Sequence, residues 1–316
     1  MRQLIAKRLI QTIPLLFFVS VVCFALIKMA PGDPVLSFVT PNMHKEDIER
    51  VRANLGLDKP AHVQYWLWLK ELLKGNLGYS LVNHQPVAKL ILERLPATAG
   101  LMGSAILLAV ILAIPLGLIA GAFHNKWVDR IITFMSYIGI SVPVFWLAIL
   151  VIYLFAVKLD WLPSMGMRTI GVNSAADVIQ HGILPVSVLA FSFLSSYVRY
   201  VRSSTIGQLR EDYVQIQYAY GSIRRVVLFR HVLKHVLLPI ITLLGMSLAD
   251  LVTGAIVTET VFSWPGIGSL GVTAIRGMDF PIIMGITLFS ALLLIIGNLL
   301  ADVLYGYADP RIHTMR

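Results

Sequence analysis

Apolar residues fall along this chain in long blocks rather than in the narrow stripes of a soluble core. Six runs stand out, at roughly Leu9–Ile27, Met102–Phe123, Ile131–Val157, Ile183–Val198, Leu237–Phe262 and Pro281–Tyr305. A hydrocarbon core about 30 Å thick asks for about 20 apolar residues per crossing helix. The runs lack the strict alternation of a closed barrel, so helices are the expected spanning elements. Pro14, Pro115 and Pro143 lie inside runs, where neighbouring helices are expected to satisfy the freed carbonyls. The pattern therefore predicts an all-α membrane protein with six spanning helices.

Composition agrees. Of 316 residues, 57% are hydrophobic and 14% charged, against roughly 45–50% and 25% for soluble domains. No single core of this size could bury that much apolar surface. Cys23 is the sole cysteine, so no internal disulfide is possible. The net charge of +9 is explained by topology rather than by a nucleic-acid partner. With the N-terminus inside, the inner segments hold Arg2, Lys7, Arg8, Lys126, Arg130, Arg199, Arg202, Arg210, Arg224, Arg225, Arg230, Lys234, Arg311 and Arg316. The short outer loops hold only Lys158, Arg168 and Arg276. That asymmetry predicts an N-in, C-in topology. The first run has basic residues ahead of it like a signal peptide, but no small-x-small site closes it and Pro31 follows Ala30, so a retained span is expected.

Two segments are polar enough to meet partners. The first outer segment, roughly Lys28 to Ala97, opens with the turn cluster Pro31-Gly32-Asp33-Pro34. It then carries a stretch from His62 to Leu73 in which Tyr65, Trp68, Leu69 and Leu72 recur at helical spacing. Such a helix can lie at the headgroups on its Trp residues or serve as a docking surface. The second is the inner segment from about Tyr200 to Val236. It reads as a short helix over Glu211, Asp212, Tyr213 and onward, a stop at Gly221, and a basic helix with Arg224 and Arg225 feeding the fifth run. Gly221 suits the left-handed stop of the first helix, and Ser222 is the candidate cap of the next. Two short helices about a Gly turn make a compact knob.

The order EDYV, a Gly seven residues after Val214, then RHVLKHVLLPIITLLG resembles the EAA-type loop of ATP-binding-cassette importer permeases. The likeness extends to APGDP (30–34), GLDKPAHVQYWLWL (56–69), GNLGYS (75–80), ERLPAT (93–98), ISVPVFWLAIL (140–150), TETVFSWPGIG (258–268) and NLLADVLYGYADPRI (298–312). The chain is thereby similar to the dipeptide and oligopeptide permeases, a group that includes nickel and glutathione carriers.

The resemblance implies a type I ABC importer transmembrane domain in the cytoplasmic membrane of a prokaryote. It implies a heterodimer with a second homologous permease, two ATPase subunits inside, an extracytoplasmic binding protein, surrounding lipid and a peptide-like substrate. Domains are expected at 1–92 (first span and outer segment), 93–305 (five-span transport domain) and 306–316 (inner tail). Coupling to the ATPases would fall to Glu211, Asp212, Tyr213, Ala219, Tyr220, Gly221, Arg224 and Arg225. Positions 215, 218 and 220, where basic residues are expected, carry Gln215, Tyr218 and Tyr220, giving a more aromatic knob.

No G-x-x-x-x-G-K-[ST] phosphate loop is present, so the chain itself is expected to hydrolyse nothing and to bind no cofactor, with ATP and Mg on the partner ATPases. Asp250, beside Thr253 and Gly254, falls inside the fifth run, where a bilayer-centre Asp costs about 2.5–3.5 kcal/mol and must face protein or water. Lining the translocation path, bonding a neighbouring helix, and relaying protons in a secondary transporter are its open readings. For Glu259, Asn298 and Asp302, packing and helix-end bonding are expected over ligand contact. Gly117 and Gly121 form a G-x-x-x-G pair suited to close helix approach. His231 and His235 share a helix face, but Val232 stands where a zinc protease needs Glu. No metal site is expected, and no intramembrane nucleophile motif is found. The Ser195-Ser196 pair reads as helix-packing polarity.

Overall fold

The computed structural model describes residues 2–29, 35, 44–54, 56–253 and 255–308. The Pro31–Pro34 cluster, Gly254 and the end of the inner tail lie outside the described residues. The chain forms helices α1 (Arg2–Met29), α2 (Lys45–Asn54), α3 (Ala61–Leu73), α4 (Val87–Ala122), α5 (Trp127–Ser141) and α6 (Val144–Val151), the last continued by a π-helical turn over Ile152–Lys158. Then come α7 (Ala175–Gln208), α8 (Asp212–Ala219) and α9 (Arg224–Val226), which passes through a π-helical turn, Val227–Val232, into α10 (Leu233–Thr253). The order closes with α11 (Ile256–Val261), α12 (Ile267–Arg276) and α13 (Phe280–Ala308).

Among the described residues, Ile10–Met29 of α1, all of α4 and α7, and Phe280–Leu300 of α13 are each long and apolar enough to cross a bilayer. The fifth run lies on α10, 21 residues long, or about 31 Å at 1.5 Å per residue. The third run departs from expectation. It is broken, α5 and α6 meeting at about 100°. Val142 precedes a proline and takes extended angles (φ −80°, ψ 122°), the region to which clash with the proline ring drives it. Pro14, Pro96, Pro115 and Pro185, by contrast, sit inside continuous helices. The fifth run is also divided, with α11 following α10 as a separate short helix.

The core is the α4–α7 pair. A Cβ at Gly117 would overlap Val201, and one at Gly121 would overlap Thr205, so the two backbones meet as the G-x-x-x-G spacing allows. α5 joins them through Gly139, whose missing Cβ leaves room for Ser195. Ser195 is buried, and its hydroxyl donates to the Phe191 carbonyl (2.8 Å), which is the packing role expected of it. α10 and α13 pack together as a further layer.

The apolar stretch of α1 is only 6% buried, against 44% in α4 and α7, so α1 is peripheral. It touches α13 and α3. The α3 contact is made by buried Tyr65, whose hydroxyl lies 2.8 Å from Ser20 Oγ and whose ring meets Phe17 and Phe24 edge-on. Trp66 of α3 stays 54% exposed. One face of α3 is thus bound to α1 while the other remains open.

Candidate functional site

Three constellations carry the polar chemistry of the fold. The first is the knob formed by α8 and α9. Glu211 occupies the N-cap position of α8 in extended conformation, with Asp212 in the first turn, where negative charge complements the helix dipole. Gly221 has φ +79°. Its N–H donates to the Tyr218 carbonyl (2.9 Å) and that of Ser222 to the Gln217 carbonyl (3.0 Å), the paired bonds of a Schellman stop. Ser222 does not cap the next helix: Ile223 holds that position without a side-chain bond. The Ser222 hydroxyl turns back to the first helix, donating to Gln217 Oε1 (3.4 Å), and the second helix begins one residue later.

Val214 is fully buried with Leu118, Val201, Val227, Val232, Val236 and Ile240, which pins α8 to α4, α7 and α10. Tyr213 reinforces the attachment by donating to Gln208 Oε1 (2.8 Å) and packing its ring 5.2 Å from that of His235. Burial, aided by the Glu211 charge, pushes its phenol pKa above the ordinary value. Arg224 stacks over the Phe123 ring at 4.7 Å. Glu211, Asp212, Ala219, Gly221 and Arg225 face outward, with Tyr220 83% exposed and Ile216 and Ile223 beside it. Of the coupling residues named from sequence, Tyr213 and Arg224 therefore anchor, and the others present a surface. Sequence reasoning omitted Val214, Ile216 and Ile223. The signal was available, since Val214 and Ile216 alternate between anchor and face within α8.

The second constellation joins two motifs far apart in sequence. Glu259, in the first turn of α11, has no solvent exposure. Its carboxylate accepts from Thr98 Oγ1 (2.7 Å) and the Ser269 N–H (2.9 Å), while Thr98 Oγ1 accepts from the Ile267 N–H (2.8 Å). The carboxylate thus sits at the N-terminus of α12, where free N–H groups and the helix dipole favour an anion. Only glycine fits at Gly266, because a Cβ there would overlap that carboxylate. Trp264 Nε1 donates to the Ala97 carbonyl (3.0 Å). The expectation of packing and helix-end bonding is the role Glu259 has. Asp279 makes a similar clasp, accepting from Ser80 Oγ (2.5 Å) and the Leu81 and Val82 N–H groups (3.1 and 3.3 Å), and so fastening the GNLGYS segment to the α12–α13 turn.

The third is an ion pair that the linear pattern gave no sign of. Asp129 of α5 takes a two-pronged contact from Arg202 of α7, Nε to Oδ1 at 2.5 Å and Nη2 to Oδ2 at 2.8 Å. Asn125 N–H and Thr133 Oγ1 fill its remaining acceptor sites. Asp250 and Thr253 lie in the last two turns of α10; their side chains, and Gly254 altogether, lie outside the described residues. No cluster of metal-ligating side chains occurs among the described residues.

Comparison with known proteins shows the family to which the chain belongs. Residues 113–314 match the family model described as binding-protein-dependent transport system inner membrane component. Residues 1–102 match the corresponding N-terminal model. The oligopeptide transport system permease protein AppB of Bacillus subtilis is 38% identical over 98% of both chains. A putative peptide permease of Brucella suis is 37% identical over 96% of this chain and 97% of its own. The glutathione transport system permease protein GsiC of Escherichia coli K12 is 37% identical over 98% of both. The chain belongs to the family of inner-membrane permease components of binding-protein-dependent ATP-binding-cassette importers and is a multi-pass membrane protein of a prokaryote.

Proposed function

We propose that this permease moves di- or oligopeptides inward, and that the α8–α9 knob is the element through which separate ATPase subunits drive it. The observation that carries the reading is the division of labour within the knob. Val214 and Tyr213 fix it to three helices of the transport domain, while Tyr220, Ile216 and Ile223 form an apolar surface outside any span. Exposed apolar side chains rimmed by charge suit a protein partner. A push on a knob so anchored moves α4, α7 and α10 together.

In this reading six helices cross the membrane with both termini inside, as the Lys and Arg distribution favours. The first span and outer segment, 1–92, form an N-terminal addition, residues 93–305 the transport domain, and 306–316 the inner tail. A second homologous permease completes the path, for which Asp250, Thr253 and Gly254 are the candidate lining residues. ATP and Mg are held by the ATPases, and an external binding protein delivers the substrate. The chain performs no chemistry and contributes differential stability of inward- and outward-open states. Glutathione is the second reading, favoured by the 37% identity to a glutathione permease.

The test is co-expression with the ATPase, second permease and binding protein encoded nearby, followed by uptake of labelled peptides into proteoliposomes. ATP-dependent accumulation that stops when the ATPase phosphate-loop Lys is replaced supports the reading. Uptake indifferent to the ATPase, or a chain that assembles with no ATPase, refutes it.

A further inference from the structure

Facing stripes on α5 and α7 enclose a half-open cleft of about 500 Å³. Thr133 and Tyr137 of α5 face Ser196, Arg199, Tyr200 and Ser203 of α7, spaced so that each set shares one helix face. Arg202 also lines the cleft, but its charge is cancelled by the pair with Asp129. Arg199, one turn before Arg202 on the same stripe, is different. Among the described residues it has no carboxylate partner, and its guanidinium carbon lies 5.4 Å from the centre of the Tyr137 ring. Arg199 follows the fourth apolar run and belongs to the inner basic segment, so its guanidinium lies toward the inner aqueous face. The cleft therefore presents several hydroxyls and, at Arg199, a positive charge with no carboxylate partner among the described residues.

We propose that this cleft is a transit site for the carboxylate of the transported solute, with Arg199 as its recognising residue. The inference rests on the peptide-importer reading and adds a site to it. A guanidinium presents a planar fork matched to a carboxylate, and the neighbouring hydroxyls of Tyr137, Ser196 and Ser203 offer further donors. The volume lies within the range of small-ligand sites. Polar side chains lie on both stripes beside the apolar Ile140, which suits a peptide with a charged end and apolar side chains.

The test uses the full complex in nanodiscs with Cys23→Ala and Ser203→Cys, a thiol placed in the cleft. Anionic and cationic methanethiosulfonates are compared, with and without Arg199→Gln. One unit charge about 8 Å away in water changes the anionic-to-cationic rate ratio about fivefold, so that ratio is expected to fall by this factor in Arg199→Gln and to hold in Arg199→Lys. Tri-alanine is expected to protect the thiol and tri-alaninamide to protect it much less. Absence of reaction with either reagent, equal protection by both peptides, or a rate ratio that follows the phosphatidylglycerol content of the disc overturns the proposal. Uptake of tri-alanine by the unmodified complex separates the two levels. Uptake without protection removes the cleft site and leaves the importer reading standing, whereas no uptake removes both.

Discussion

Gly221→Val isolates the backbone of the knob from its packing. Gly221 holds φ +79°, and a Cβ there meets nothing within 4 Å. The substitution therefore creates no clash, and its whole effect comes from forcing an L-residue into the left-handed region. That costs about 1–2 kcal/mol for an ordinary side chain, and a β-branched residue falls at or above the upper end. A penalty of about 2 kcal/mol is a factor of about 30 in the equilibrium constant between the native turn and its alternatives. The penalty falls on two bonds, Gly221 N–H to Tyr218 O and Ser222 N–H to Gln217 O, whose loss redirects Tyr220 and Ile223. Val214 remains buried in its cluster, so α8 stays attached and the complex still assembles. The expected result is near-normal co-purification with the ATPases and a binding-protein-stimulated ATP hydrolysis lowered severalfold, with about 30-fold as the limit for a marginal turn, since the competent fraction scales the apparent affinity. Gly221→Asn, which tolerates the left-handed region, is expected to retain most of the coupling, and Gly221→Ala to fall between. Full coupling in Gly221→Val, or Asn as damaging as Val, would refute the argument that the turn acts through its backbone angle.

Other substitutions probe the remaining constellations. Glu259→Gln leaves one of two buried donors, Thr98 Oγ1 or Ser269 N–H, facing an amide NH2, and should lower the stability of the detergent-solubilised protein by about 1–3 kcal/mol, read as a loss of Tm; an unchanged Tm contradicts the clasp. Gly117→Leu drives a side chain into Val201 and is expected to abolish accumulation in the membrane, whereas the same change at Gly103, whose Cβ direction is open, should be tolerated on immunoblots. Asp129→Asn strips Arg202 of its ion-pair partner, and pairing it with Arg202→Gln should recover part of the lost yield; a double mutant no better than the single would show that the pair is not the relevant contact. For topology, a cysteine at Ser222 in a Cys23→Ala background is expected to react with impermeant maleimide only in inside-out vesicles, and one at Asn83 only in right-side-out vesicles. The reverse pattern overturns the N-in assignment.

The knob shows how far local chemistry carries. Its Gly221 stop and preceding helix are set by bonds spanning five residues, so they are legible in the linear order, and the Gly117–Gly121 spacing announced a close approach without naming its partner. Ser222 was misassigned because its hydroxyl turns back to Gln217 of the first helix, a choice between two local bonds that one-residue resolution does not settle. The third run was expected as one span because bilayer insertion sums hydrophobicity residue by residue and registers no bend. Pro143 breaks it while Pro14, Pro96, Pro115 and Pro185 do not. The difference lies in packing, for α6 is held across α7 and α11.

Sequence by itself determined the membrane environment, the helical class, the basic asymmetry and the place of the knob, because transfer free energy, charge counts and helix stops are additive or short-range. Tertiary structure alone decided which groups meet. Glu259 finds Thr98 across 161 positions, Asp279 finds Ser80 across 199, and Arg202 finds Asp129 across 73. Each of these polar residues needs a partner once water is excluded, but that need names no partner. Only the docking of α4, α5, α7, α11, α12 and α13 against one another selects it, and the same docking leaves Arg199 facing an open cleft.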